Sequence, residues 1–124
     1  MPQGTIAIVD NDDAMRDAVA SLVRALGYDT ATFGSAEAFL NYDQIGGTSC
    51  LVTDLHMPGL SGLDLQDRLI AQGHRIPVIF LTGYPDENVR IRAMKAGAVG
   101  FLSKLCDGDH LLGCFEKALS GSAM

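Results

Sequence analysis

The 124-residue sequence predicts one α/β domain spanning residues 1–124, a doubly wound parallel sheet with helices on both faces. Two observations predict it. Short β-branched apolar runs alternate five times with segments of helical period, the order that parallel strands and right-handed crossovers require. The middle runs, "CLVTDL" (50–55) and "PVIFLTG" (77–83), are apolar at successive positions, as strands buried on two faces must be. Composition agrees, because 48% hydrophobic and 19% charged residues suffice for a single core.

Each element has its own signal. "TIAIVD" (5–10) is a buried strand that ends on polar residues. Met15, Val19, Leu22 and Leu26, with Ala18 and Val23 beside them, then recur at helical spacing. Asp12 or Asp13 can cap that helix at its start and Gly27 at its end. "YDTATF" (28–33) alternates polar and apolar, which fits a strand with one wetter face. "SAEAFLNY" opens with Ser35 as helix N-cap. "CLVTDL" is the third strand, and "LDLQDRLIAQG" (63–73) a helix closed by Gly73. "PVIFLTG" enters its strand through a Pro, which suits a strand's first residue. "DENVRIRAMKAG" (86–97) is a helix, "VGFLSK" (99–104) a short strand, and "GDHLLGCFEKAL" (108–119) a helix packing on Leu111, Leu112, Phe115 and Leu119.

Charge and cysteine content narrow the function. A formal net charge of −6 argues against a phosphate-binding surface, so this domain itself is not expected to contact nucleic acid. Three cysteines (Cys50, Cys106, Cys114), an odd number without C-x-x-C spacing, suit reduced thiols in a cytosolic protein and read as small buried hydrophobes. "MPQGTIAIVD" lacks a basic and a long apolar region, so no signal peptide is expected. No apolar run is long enough to cross a bilayer. The expectation is a soluble cytoplasmic domain without membrane contact.

In an open parallel sheet, ligands meet the carboxyl ends of the strands. Those ends carry Asp10, Asn11 and Asp12, then Asp54, then Thr82, then Lys104, all on one edge. Crowded carboxylates need a compensating cation. Mg²⁺ takes oxygen ligands, typically one or two carboxylates, several waters and a phosphate. Asp54 stands alone at its strand end, free to act as a nucleophile and form an acyl phosphate. Thr82 and Lys104 offer a donor and a positive charge to phosphoryl oxygens, which is most of what phosphoryl transfer asks of a protein.

The segments "IVDNDDAMR", "FGSAEAFL", "LVTDLHMPGLSGLDL", "PVIFLTG" and "AMKAGAVGFLSK", in this order and over nearly the whole chain, resemble the receiver domain of bacterial two-component response regulators, above all the FixJ-type transcription regulators. The resemblance implies a flavodoxin-like strand order of 2-1-3-4-5. It implies that Asp54 accepts phosphate from a sensor histidine kinase with Mg²⁺ bound, while Thr82 and Lys104 contact the phosphoryl group. Asp10, the position of Asn11, Asp54 and the backbone carbonyl of His56 correspond to the metal site. Phe101 corresponds to the aromatic that changes rotamer with Thr82 and alters the face of the last two helices and the fifth strand. A homodimer through the region from Val89 to Phe101 is expected by the same analogy. Such a domain is not an enzyme beyond self-catalysed phosphotransfer and dephosphorylation.

Two departures stand out. The family's second acid, usually a direct metal ligand, is Asn11 here. At about 4 Å and an effective dielectric near 20, a lost charge pair is on the order of 4 kcal/mol before desolvation, so Mg²⁺ binding weaker than sub-millimolar is expected. Asp12 cannot replace it, because it lies past the strand and caps the helix. Second, the family has Pro after the Lys, with a cis bond that aims the ammonium. Leu105 follows Lys104 here, and cis before a non-proline costs roughly 2.5–4 kcal/mol. The bond is expected to be trans, or else strained cis; if trans, the turn after the last strand is rebuilt and Lys104 is free to point elsewhere.

Three other readings compete. "DND" (10–12) fits the D-x-D of Mg²⁺-dependent aspartate-nucleophile phosphatases, but leaves Asp54 unexplained. A nucleotide or flavin carrier lacks its glycine-rich motif. A phosphate-independent pseudo-receiver that serves as an interaction module is the strongest rival. The remaining features have plainer readings. His56 is an exposed loop residue or a modulator of acyl-phosphate hydrolysis, and Tyr84 a shield or loop cover. His74 and His110 are surface residues, and "PGLSG" (58–62) is a tight loop.

Overall fold

Five parallel strands and five helices alternate along the chain in the computed structural model, which describes residues 4–84, 86–104 and 108–121. The order is β1 (Thr5–Val9), α1 (Asp13–Ala25), β2 (Asp29–Phe33), α2 (Ala36–Leu40), β3 (Thr48–Asp54), α3 (Gly62–Ala71), β4 (Val78–Thr82), α4 (Glu87–Lys95), β5 (Gly100–Ser103) and α5 (Gly108–Gly121). Across the sheet the strands run β2-β1-β3-β4-β5, the order implied by the resemblance.

The period-two geometry of a strand explains the unbroken apolar runs. Ile6 and Ile8 of β1 face one side, where they join Val19 and Val23 of α1 and Leu111 and Phe115 of α5. Ala7 and Val9 face the other side, with Phe39 of α2, Leu65 and Leu69 of α3, and Ala93 of α4. Both parities are therefore core. β2 is one of the two edge strands, and its exposed residues, Asp29 and Thr32, are three positions apart and so lie on opposite faces, instead of giving the single wetter face that the alternation predicts.

Helix starts follow their capping residues. Asp12 caps α1 by accepting from the Met15 amide, and Ser35 caps α2 by accepting from Ala38. Ser61 and Asp64 form a reciprocal capping box at α3. Several boundaries differ from expectation. α2 is five residues long, and a 3₁₀ turn at Ile45–Gly47, which carries no apolar period to reveal it, leads into β3 at Thr48. Tyr28 precedes β2 instead of opening it, and its ring packs edge-on against Phe115 with centroids 5.2 Å apart. His74 is half-buried where a surface residue was expected: past Gly73, at φ +82°, its amide folds back to donate to the Leu69 carbonyl at 2.9 Å; His110 is exposed. Cys50 is buried and Cys114 half-buried, while Cys106 lies outside the described residues. Among the described residues, no helix is long and apolar enough to cross a membrane.

Candidate functional site

The chain reverses its direction of winding at β1, whose neighbours are β2 and β3, so the carboxyl edge of β1 and β3 is the switch point at which open parallel sheets meet their ligands. Asp10 follows the last residue of β1, and its amide donates to the Phe33 carbonyl at 3.1 Å. Asp54 ends β3 and pairs in register with Leu81, which puts Thr82 one residue further out on the adjacent strand. Beyond β5, the Lys104 amide donates to the Thr82 carbonyl at 2.9 Å and continues the ladder by one rung.

From that rung the Lys104 ammonium reaches both carboxylates. Its Nζ lies 3.1 Å from Asp10 Oδ2 and 3.4 Å from Asp54 Oδ2, and the two acid side chains are 6% and 8% exposed. Burial works to lower the Lys104 pKa, but the hydrogen bond with Asp10 and the charges of Asp10 and Asp54 outweigh it and hold the ammonium above the ordinary lysine value. The other oxygens accept from the backbone: Asp10 Oδ1 from the Asp12 amide at 2.9 Å, and Asp54 Oδ1 from the Leu55 amide at 2.8 Å. Thr82 is fully buried, and its Oγ1 accepts from the Tyr84 amide at 3.1 Å.

The structure thus brings Asp10, Asp54 and Lys104 into direct contact, with Thr82 on the neighbouring strand tip. Lys104 does not point elsewhere: the ammonium faces the acids. The Lys104–Leu105 bond itself lies outside the described residues. Asn11 and His56 are exposed on the loops that follow β1 and β3. Asp12 is exposed and engaged as the α1 cap, so the D-x-D reading has its second acid facing its own helix. Tyr84 is 80% exposed, and its contact with the site is through its amide, which bonds the Thr82 hydroxyl. Phe101 is half-buried, with its ring 6.0 Å from that of Phe80.

Two contributors carried no assigned role in the sequence. Arg16 donates from Nη1 to the Asp10 carbonyl at 2.7 Å and pairs with Asp13 through Nη2. The three-residue spacing of Asp13 and Arg16 on a helix was the available signal. Gly62 is needed for close approach, because a Cβ there would lie 2.4 Å from the Asp54 carbonyl oxygen. A separate cavity of about 1060 Å³, lined by Ile70, His74, Arg75, Val99 and Lys117 among others, lies at the opposite edge of β4 and β5.

Asp10 and Asp54 bring carboxylate oxygens from two strand tips to one point, donors of the kind that a hard divalent cation takes. No cluster of three His, Cys, Asp or Glu residues able to hold a metal occurs among the described residues.

Comparison with known proteins gives a consistent result. Residues 6–116 match the family described as response regulator receiver domain. The chain is 42% identical over 117 residues to the response regulator protein TmoT of Ectopseudomonas mendocina, covering 94% of this chain and 53% of that protein. It is 40% identical over 119 residues to the transcriptional regulatory protein FixJ of Bradyrhizobium diazoefficiens, covering 94% of this chain and 57% of the relative. The chain therefore spans about half the length of the curated relatives it matches. Among solved structures, the crystal structure of FixJ-N superposes with a TM-score of 0.87 at 35% identity, covering 97% of this chain and 96% of that one.

Proposed function

The chain belongs to the response regulator receiver family, and from that premise we propose that it is a phosphoacceptor domain, residues 1–124, modified on Asp54 by a sensor histidine kinase. One observation carries the reading: a single ammonium, Lys104, lies within 3.4 Å of carboxylates from two neighbouring strand tips. Incoming phosphoryl oxygens find a fixed positive charge beside the nucleophile.

In the proposed step, an Asp54 oxygen attacks the phosphorus of a phosphohistidine. The O–P bond forms as the P–N bond breaks, and the departing imidazole keeps the electron pair and takes a proton from solvent. Lys104 then pairs with the new phosphoryl oxygens, and the Thr82 hydroxyl, on the adjacent strand, donates to one of them. Asp10, Asn11, Asp54 and the His56 carbonyl would hold Mg²⁺, which when bound neutralises phosphoryl charge. Transfer frees Thr82 from its bond with the Tyr84 amide, and Phe101 follows, reshaping the face of α4, β5 and α5. That face, with Ile91 40% exposed, serves a homodimer. The output is control of transcription, as the name of the FixJ relative suggests, and the compartment proposed is the bacterial cytoplasm.

Incubation with a small phosphodonor and Mg²⁺, read by intact mass, tests this: the phosphoryl adduct forms on the wild type and is absent in Asp54→Asn. A second reading, a phosphate-independent interaction module, is favoured by the neutral, exposed Asn11. It predicts no adduct on either protein and an unchanged assembly state with a phosphoryl mimic in light scattering.

A further inference from the structure

The two ends of α4 are held in different ways. Its first turn is capped by the neighbouring Asp86, whose carboxylate accepts from the Asn88 and Val89 amides, and Glu87, Asn88 and Arg90 are exposed. Its last turn contains Ala93, the one residue of α4 that is fully buried. The Ala93 carbonyl accepts from the Ala98 amide at 3.0 Å, and the Met94 carbonyl from the Gly97 amide at 3.0 Å, with Gly97 at φ +106°. This is the Schellman closure that a glycine at positive φ permits. Ala98 leads directly into the sheet, where the Val99 amide donates to the Val78 carbonyl at 2.8 Å.

Onto that same Ala93 carbonyl comes a long-range donor. Gln66 of α3 is 3% exposed, and its Nε2 lies 3.2 Å from the Ala93 oxygen. A buried amide costs stability unless it is bonded, so an apolar residue would be the default at this position between two helices. The amide is accommodated by bonding across to α4. Beside it, Arg92 and Asp67 form an exposed ion pair at 3.2 Å, of the kind that contributes little.

We propose that Gln66 is a positioning residue of the switch: its buried amide pins the carboxyl-terminal turn of α4 to α3, so that a displacement arising at Thr82 turns α4 about that end and swings its amino-terminal end. The anchoring is a property of the resting fold; the swing rests on the phosphoacceptor reading above. β4 ends at Thr82 and α4 begins at Glu87, so the freer end of the helix is the one nearest in sequence to the reacting site. The pinned end is continuous with β5, which carries Phe101 and leads to Lys104.

The test uses Gln66→Met, which keeps side-chain length and removes the donor while Ala98 still satisfies the carbonyl, with Arg92→Gln as a control for the exposed pair. Residue-resolved amide exchange on the resting protein is expected to show a rise of about fivefold at Ala96, Gly97 and Ala98 in Gln66→Met relative to Ile79 and Leu81, and no such rise in Arg92→Gln. Unchanged exchange at those three amides, or an equal rise throughout the protein, overturns the anchoring. Beryllofluoride then serves as the phosphoryl mimic: amide shifts in the wild type should grade from large at Asn88 to small at Lys95, and the gradient should flatten in Gln66→Met. A uniform response along α4 in the wild type overturns the swing. If the wild type gives no response at all, the phosphoacceptor reading fails and takes the swing with it, while the exchange result still decides the anchoring.

Discussion

Replacing Lys104 with Met removes the one charge that the structure places between Asp10 and Asp54. At an effective dielectric near 20, ion pairs at 3.1 and 3.4 Å are each worth about 5 kcal/mol of Coulomb attraction. Desolvation of three largely buried groups and the mutual repulsion of the acids offset much of that. The variant nevertheless strands two carboxylates whose side chains are 6% and 8% exposed. Breaking a buried pair from one side costs about 3–5 kcal/mol. Because 17% of the Lys104 side chain remains exposed, the low end, about 3 kcal/mol, is expected. Urea unfolding at pH 7 reads it as a lower midpoint with an unchanged slope.

The pH dependence has a definite sign. The folded-state pKa of Lys104 is raised above its ordinary 10.5, so its stabilisation is complete below that value and disappears as pH climbs through the higher folded value. The gap between wild type and Lys104→Met should hold steady from pH 7 to about 9 and close in more alkaline solution. A loss under about 1 kcal/mol at pH 7, or a gap that persists at high alkaline pH, would refute the bridging ammonium as the element that holds these acids together.

Three further outcomes follow from the same geometry. Asn11→Asp restores a third carboxylate to the pocket and should tighten Mg²⁺ about tenfold or more in a calorimetric titration; a wild-type affinity already below millimolar contradicts the weak-site reading. Gly62→Ala drives a Cβ to 2.4 Å from the Asp54 carbonyl oxygen and 3.2 Å from Leu55 Cα, backbone atoms that cannot yield cheaply. It should lose about 2–3 kcal/mol in urea unfolding and slow adduct formation on Asp54. Burial pushes the Cys50 thiol up to about 12, so iodoacetamide at pH 8 should leave it unmodified in the native protein and alkylate it once urea unfolds the chain. Peptide mapping distinguishes the two states.

Much of the fold was legible because its signals are local. Asp12 and Ser35, both read as cap candidates, bond amides three residues away, as Ser61 and Asp86 also do without having been singled out, and a strand's two faces show in its successive residues. The strand tips were legible for the same reason: Asp10, Asp54, Thr82 and Lys104 each lie at the polar end of an apolar run. What escaped depends on partners distant in sequence. Gln66 sits beside Leu65 and reads as an ordinary polar helix residue until α4 brings the Ala93 carbonyl against it, 27 residues away. Gly62 reads as the end of a turn, and the Asp54 carbonyl that forbids a side chain there lies across the loop. Arg16 was visible as a helical partner of Asp13, but its bond to the Asp10 carbonyl needs the β1–α1 turn to be closed first.

Lys104 shows how the two kinds of information interact. Reasoning from the residue that follows it, a missing proline should loosen the aim of the ammonium. The aim is set from the other side. β5 pairs with β4 in register through Ser103 and Thr82, and the Lys104 amide then bonds the Thr82 carbonyl at 2.9 Å, so the backbone of Lys104 is fixed by the sheet before the chain departs. Two nearly buried carboxylates then supply the strongest attraction within reach of the side chain. Register delivers the lysine to the edge and charge turns it inward, and neither depends on the identity of residue 105. The distinction can be tested: Leu105→Pro should leave the stability gap of Lys104→Met unchanged within about 0.5 kcal/mol, as expected of independent contributions. A gap that grows well beyond that would return control of the ammonium to the following residue.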